Sequence, residues 1–139
     1  MSFSVETLKE HTKERLTNEV IAWFTTVRPD GRPHSVPVWF LWEGESVLIF
    51  SKNNQKIRNL AQNPNVVLAL DNTDDGGDVI ILEGQARVLS SDEERTDTTL
   101  PAYKAKYGAE MQEIGFTPES MGQEYNQVIR VTIDRFTSQ

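Results

Sequence analysis

Three basic side chains, Lys52, Lys56 and Arg58, lie close together in a part of the sequence that contains no acidic residue. Residues 46–70 carry a net charge of +3, whereas the whole chain carries −7. Lysine offers point charges to a phosphate or carboxylate, and arginine offers a bidentate donor. The local excess of positive charge therefore predicts a site for an anion within an acidic protein.

The predicted backbone around these side chains favours the same interpretation. A strand that ends at Ser51 and a helix that begins near Asn54 would direct backbone N–H groups and the positive end of the helix dipole toward an anion. The alternative is a set of solvated helix charges, which is common for basic residues on a surface helix. The absence of acidic residues around the junction leads us to favour an anion site in residues 51–59.

A second candidate feature is the apolar run at residues 34–42, which carries Pro37 in its middle. Proline removes a donor from a strand ladder and is found at edges and bulges. We expect Pro37, Val38 and Trp39 to form an edge that contacts a ligand, with Trp39 as an aromatic wall. Trp42 is expected to pack against the core or a dimer partner.

Other chemistry has little support in the sequence. The chain has no cysteine and two histidines, His11 and His34, so thiolate catalysis is excluded and no metal site is predicted. We interpret His34 as a partly exposed strand residue rather than a general acid. The glycine-rich, metalloprotease and serine-nucleophile motifs do not occur. No catalytic side chain is assigned, and a bound cofactor would carry any reaction.

The elements that must position these residues are mostly strands. Alternating or continuous apolar runs rich in β-branched and aromatic residues predict six strands, at residues 20–27, 34–42, 46–51, 65–72, 78–90 and 127–138. The run at 46–51 is continuously apolar, which predicts burial on both faces. In the last strand, Ile129, Val131 and Ile133 should face the core.

Turn and helix signals separate the strands. Asp30-Gly31 predicts a hairpin turn, and Gly84 a bend or bulge within a strand. Residues 74–77 predict a loop. Helices are predicted at residues 4–16, at residues 54–63, from a capping-box pattern at 91–94 to about Tyr107 with a break near Pro101, and briefly from Pro118.

Together these elements predict a mainly β fold, a six-stranded antiparallel split β-barrel with a few peripheral helices. The length of 139 residues fits a single domain spanning 1–139. The net charge of −7 should repel nucleic acid and anionic membranes. A charged amino terminus and the lack of a membrane-length apolar run lead us to expect a cytoplasmic protein.

Three stretches carry a resemblance to a known family: TTVRPDGRPHSVPVWF, VLIFS and KIRNLAQNPNVVLAL, all within residues 15–90. They resemble the split β-barrel of the pyridoxamine-phosphate-oxidase-like family (the FMN-binding split barrel), in particular its flavin and deazaflavin oxidoreductase branch. The D-G-R-P turn, followed by K-x-R-N-L and a proline, is the most specific combination. The carboxy-terminal region lacks the substrate signature of a true pyridoxamine-phosphate oxidase, so vitamin synthesis is not expected.

The resemblance implies a homodimer with two cofactors in grooves between the subunits. It implies coenzyme F-420 or FMN as the cofactor, with the phosphate at Lys56 and Arg58, the ring near Pro37 to Trp39, and Ser51 and Lys52 nearby. The complete set of predicted cofactor-binding residues is Pro37, Val38, Trp39, Ser51, Lys52, Asn54, Lys56, Ile57 and Arg58.

The leading functional hypothesis is an oxidoreductase that uses coenzyme F-420 for hydride transfer to a small conjugated substrate. One alternative is an FMN-dependent relative. A second is a protein that binds haem, another tetrapyrrole or a flavin without turnover. A third is a stress-associated dimer with an empty groove. The fold alone does not separate these possibilities, because function depends on the site.

Overall fold

The computed structural model describes residues 9–71, 78–89 and 100–138. Within them the helices are α1 (Glu10–Asn18), α2 (Gln55–Gln62), α3 (Pro101–Glu113) and α4 (Pro118–Glu124). The strands are β1 (Ala22–Val27), β2 (Pro33–Val38), β3 (Leu41–Trp42), β4 (Ser46–Ser51), β5 (Asn65–Leu70), β6 (Ile80–Val88) and β7 (Gln127–Ser138). The predicted loop at 74–77, the capping box at 91–94 and the start of the helix predicted at 4–16 lie outside the described residues.

The strands form one antiparallel sheet in the order β2-β1-β5-β6-β7-β4-β3. Its two edge strands, β2 and β3, are consecutive in the chain and are separated by Trp39 and Phe40 alone. Three residue steps span at most about 11 Å, so the two edges of the sheet must lie close together. The sheet therefore curls into a split barrel that is open beside Trp39, and the predicted mainly β fold is confirmed.

The single strand predicted at residues 34–42 is wrong, and the described chain forms seven strands instead of six. The first part, β2, pairs with β1, whereas the second part, β3, pairs with β4. The chain thus changes partner at Trp39 and Phe40. The apolar pattern continues through both residues, and Pro37 is the signal in the sequence that lies near this change.

Two glycines have the backbone roles predicted for them. Gly31 has a φ of 91°, and the turn that contains it is closed by the Arg28 N–H, which donates to the Arg32 carbonyl at 2.8 Å. At Gly84 the pairing of β6 with β7 shifts register. A β-carbon there would lie 2.0 Å from the Thr132 carbonyl oxygen, so a side chain would push the two strands apart.

Strand β4 is buried on both faces, as predicted. Val47 and Ile49 belong to the cluster inside the barrel, together with Ile129 of β7. Leu48 and Phe50 point to the opposite face and join a second cluster beneath α3 and α4. Helices α3 and α4 are thereby attached to the outside of the barrel, next to the opening.

Helix α3 extends beyond its predicted end near Tyr107 and continues to Glu113. It begins at Pro101, where the sequence predicted a break. Tyr103, Tyr107 and Met111 follow one another at intervals of four and are buried in the second cluster. This stripe continues the helix because each added turn buries another large side chain.

Candidate ligand pocket

A pocket of about 480 Å³ lies where β2 ends and α2 begins, beneath α3 and α4. Its size is within the range of small-molecule sites. It is lined by Ile21, Pro37, Val38, Trp39, Phe50, Ser51, Lys52, Asn54, Lys56, Tyr103, Ile114, Met121 and Tyr125. Seven of the nine predicted site residues are in this lining, so the two segments singled out from the sequence meet in one place.

Ile57 and Arg58 are the two predicted site residues that do not line the pocket. Ile57 packs against the cluster inside the barrel. The Arg58 side chain is exposed and donates to Gln55 Oε1 at 2.9 Å. Because successive residues of a helix point about 100° apart, Lys56 and Arg58 face different directions. A role for Arg58 in ligand binding stays a prediction.

The first turn of α2 forms the polar end of the pocket. Asn54 is the N-cap, and its Oδ1 accepts from the Lys56 N–H at 3.3 Å. Ser51, buried at the end of β4, donates from Oγ to the Lys52 carbonyl at 2.7 Å. The junction is therefore ordered by its own side chains, and the positive end of the helix dipole is directed toward the pocket.

Two lysines supply the charge at this end. Lys56 is half-buried, and its burial lowers the pKa of the ammonium group. Lys52 is more exposed: its Nζ lies 3.7 Å from Glu124 Oε2 and 5.2 Å from the centre of the Tyr125 ring. A lysine that is partly removed from water gains from a bound anion, because the anion replaces lost solvation.

The wall opposite the lysines is formed at the strand break. The Trp39 indole is half-buried and stacks on the Tyr107 ring, with centroids 4.6 Å apart and an interplanar angle of 2°. The Phe40 N–H donates to Tyr107 Oη at 3.0 Å, and the Phe40 carbonyl accepts from Lys106 Nζ at 2.8 Å. Trp42 packs against the barrel core, as predicted.

The apolar end of the pocket was not found from the sequence. It consists of Tyr103, Ile114, Met121 and Tyr125 from the region of α3 and α4. Tyr103 meets Phe50 edge to face at 4.8 Å, and burial raises the pKa of its hydroxyl. The available signal was the interval of four between Tyr103 and Tyr107, but it does not show which strand the helix covers.

His34 lies in β2, outside the pocket lining, and is half-buried. This agrees with its interpretation from the sequence as a partly exposed strand residue. Its Nδ1 is buried and has no hydrogen-bond partner. Burial, followed by the positive charges of Arg28 and Lys56, lowers its pKa. The imidazole is therefore neutral at neutral pH and adds no charge to the lysine end.

The pocket has a simple chemical pattern. Its described lining carries two lysines and no carboxylate, and most other lining side chains are aromatic or aliphatic. Such a pocket fits a ligand with an anionic group at one end and a planar apolar body at the other. Among the described residues, no histidine, cysteine or carboxylate lines the pocket where it could act as an acid, base or nucleophile.

Two further findings concern the described part of the chain. Residues 9–71, 78–89 and 100–138 contain no group of three histidine, cysteine, aspartate or glutamate side chains arranged to hold a metal ion. None of the helices described is long and apolar enough to cross a membrane.

The curled antiparallel sheet and the pocket at its opening define a split β-barrel protein. The profile of the family described as pyridoxamine 5'-phosphate oxidase matches residues 8–139. The chain belongs to this family. No curated protein matches the sequence.

Solved structures agree on the fold and differ in the ligands their names mention. An F420 reductase is 24% identical, with a TM-score of 0.68 over 95% of this chain and 100% of that one. HutZ, the haem storage protein from Vibrio cholerae, is 16% identical, with a TM-score of 0.67 over 94% of both chains. An FAD-binding protein from Mesorhizobium loti is 14% identical, with a TM-score of 0.66 over 94% of both chains. At these identities the similarity shows the fold alone.

Proposed function

We propose that this chain is an oxidoreductase that binds coenzyme F-420 in the pocket and serves hydride transfer to a small conjugated substrate. The observation that carries the proposal is the combination of Lys52 and Lys56 with an aromatic wall in a lining whose described residues include no carboxylate. This combination complements a cofactor with a phosphate and a planar ring. Membership of the pyridoxamine 5'-phosphate oxidase family supports a flavin-type ligand.

The residues divide into those that bind charge and those that bind the ring. Lys56, Lys52 and the first turn of α2 would hold the phosphate, with Asn54 and Ser51 ordering that turn. Trp39 and the neighbouring Pro37 and Val38 would contact the ring. A bound deazaflavin supplies the hydride chemistry, and the protein contributes binding, orientation and exclusion of water.

A second copy of the chain would complete the site. Ile21, Trp23 and Ile114 are large apolar side chains that are 43%, 42% and 55% exposed. Ile21 and Ile114 line the pocket, and Trp23 is paired in register with Pro37. Exposed apolar groups of this kind mark an interaction surface.

In sedimentation velocity we expect the wild-type protein to be a dimer. Trp23→Glu should shift the equilibrium toward monomer. A wild-type protein that is a monomer at micromolar concentration would contradict the proposed dimer.

FMN and haem are the alternative ligands. FMN would use the same phosphate and ring contacts, and the FAD-binding neighbour supports a flavin. Haem is supported by the similarity to HutZ, and its propionates would also meet the lysines. Haem iron would require an axial ligand, and the described lining has no histidine or cysteine but does contain Tyr103, Met121 and Tyr125, residue types that can ligate haem iron. The single-domain organisation of residues 1–139 stays a prediction.

The test is a titration of the cofactor-free protein with coenzyme F-420, FMN and haemin in parallel. Lys56→Ala should weaken binding of the preferred cofactor by about 10- to 150-fold, the value of a charge-assisted contact. Lys104→Ala removes an exposed lysine of α3 that does not line the pocket, and it serves as the matched control. Arg58→Ala shows whether the arginine outside the pocket contributes.

Each result has a clear meaning. Preference for F-420, together with reoxidation of reduced F-420 by cyclohexenone, supports the proposal. Preference for FMN moves the protein to the flavin alternative, and preference for haemin to storage or binding without turnover. Equal affinity in wild type and Lys56→Ala would place the anion elsewhere.

A further inference from the structure

The backbone N–H and carbonyl groups of Phe40 lie in the gap between two strands. Strand β2 ends at Val38 and β3 begins at Leu41, so the backbone groups of Phe40 have no ladder partner. Phe40 itself is buried, with 1% of its surface exposed. A buried peptide group without a partner is costly, so its hydrogen bonds must come from outside the sheet.

Helix α3 supplies these bonds through two consecutive side chains. Tyr107 Oη accepts from the Phe40 N–H at 3.0 Å and lies 2.7 Å from the Val20 carbonyl and 2.9 Å from the Phe40 carbonyl. A hydroxyl has one proton to donate. Lys106 Nζ, 2.8 Å from the Phe40 carbonyl, supplies a donor there and leaves the Tyr107 proton for Val20. Lys106 also lies over the Phe40 ring, 3.7 Å from its centre.

The same tyrosine fixes the pocket wall. The Tyr107 ring lies flat against the Trp39 indole. The Tyr107 hydroxyl accepts from the N–H of Phe40, the residue that directly follows Trp39. The indole is therefore held by face contact on one side and by its own backbone on the other. Neither Lys106 nor Tyr107 lines the pocket. Tyr107 stacks on Trp39, which does line it, and Lys106 contacts the adjacent Phe40.

We propose that Lys106 and Tyr107 are positioning residues for the ligand: by holding the Phe40 peptide they set the Trp39 wall against which the planar part of the ligand packs. The inference rests on the proposed function for the ligand, but the placement of Trp39 can be measured without one. A wall fixed before binding loses less conformational entropy when the ligand arrives, which increases affinity.

The variants separate the hydroxyl, the charge and the ring. Tyr107→Phe keeps the stacked ring and removes the hydroxyl. Lys106→Met removes the donor at similar length, whereas Lys106→Arg retains one and should restore the wild-type behaviour. Lys104→Met, on an exposed position of the same helix, is the matched control.

The first readout is the near-ultraviolet circular dichroism of Trp39 in the ligand-free protein, obtained by subtracting the spectrum of Trp39→Phe. The second is the affinity for FMN and for F-420. Tyr107→Phe and Lys106→Met should reduce the Trp39 signal and weaken binding by about 10-fold, with Lys106→Arg within about 3-fold of wild type. Far-ultraviolet spectra confirm that each variant is folded.

An unchanged Trp39 signal in folded Tyr107→Phe and Lys106→Met overturns the inference, as does wild-type affinity in both. A wild type that binds neither FMN nor F-420 refutes the proposed function instead. In that case a Trp39 signal that is lost in Lys106→Met and restored in Lys106→Arg still supports the positioning of the wall.

Discussion

Substitution of Asn59 should loosen the attachment of α2, the helix whose first turn carries Lys56. Asn59 and Thr26 are fully buried, with 0% of either exposed. Asn59 Nδ2 donates to Thr26 Oγ1 of β1 at 2.8 Å, and its Oδ1 accepts from Gln55 Nε2 at 2.7 Å. The side chain thus links the helix to the barrel wall and to the residue that begins α2.

Asn59→Ala removes both hydrogen bonds, deprives the buried Thr26 hydroxyl of its amide donor and leaves a void. Each lost bond contributes about 1 kcal/mol, and stranding a buried polar group adds about 1 to 3 kcal/mol. We expect the free energy of unfolding to fall by about 3 to 5 kcal/mol in total. With a urea slope of about 2 kcal/mol per molar, the midpoint should fall by about 1.5 to 2.5 M.

Urea unfolding of Asn59→Ala, Thr26→Val and the double variant gives the energy of coupling between the two side chains. We expect about 1 to 3 kcal/mol, because they are in direct contact. Gln62→Ala, at the exposed last residue of α2, is the control and should change stability by less than about 0.5 kcal/mol. Additive effects of Asn59→Ala and Thr26→Val would refute the proposed link.

Three further substitutions test the packing of the strands, the propensity of α3 and the titration of Lys106. Gly84→Ala should cost about 3 kcal/mol or more, because its β-carbon would lie 2.0 Å from the Thr132 carbonyl oxygen. Gly108→Ala, in α3, should instead stabilise the protein by about 0.5 to 1 kcal/mol, because the added carbon meets no described atom within 4 Å apart from its chain neighbours and the backbone of its own helix. Thermal unfolding of both variants compares them. Burial lowers the pKa of Lys106 from 10.5 to about 8, so the folded protein loses this proton before the unfolded chain does. The free energy of unfolding of wild type, measured relative to that of Lys106→Met, should therefore rise from pH 8 to pH 10.5. The rise should be at most about 3 kcal/mol, and smaller because water partly reaches the amine. A difference between the two proteins that is flat or falls over this range would contradict a lowered pKa for Lys106.

Part of the candidate site could be predicted from the sequence because the signal was local. Lys52 and Lys56 lie in one uninterrupted stretch without acidic residues, and both line the pocket. Pro37 lies one residue before the end of β2, so it indicated that the ladder ends nearby. Arg58 was included because it is near in sequence, but the turn of the helix directs it away from the pocket.

Local sequence signals were sufficient to predict the elements whose conformation depends on neighbouring residues. The turn at Gly31, the bulge at Gly84 and the inward face of β7 follow from backbone conformation and from the two-residue period of strands. These features specify a mainly antiparallel β protein.

The hydrogen bonds at the strand break and the apolar lining from α3 and α4 depend on contacts between distant parts of the chain, so local patterns did not predict them. The bond between the Phe40 N–H and the Tyr107 hydroxyl joins residues 67 positions apart. The periodicity of α3 shows that Tyr103 and Tyr107 share a face, but not that the face covers Trp39. Which residues this face of α3 covers depends on how the whole sheet curls and on where the sheet leaves a buried backbone group without a ladder partner.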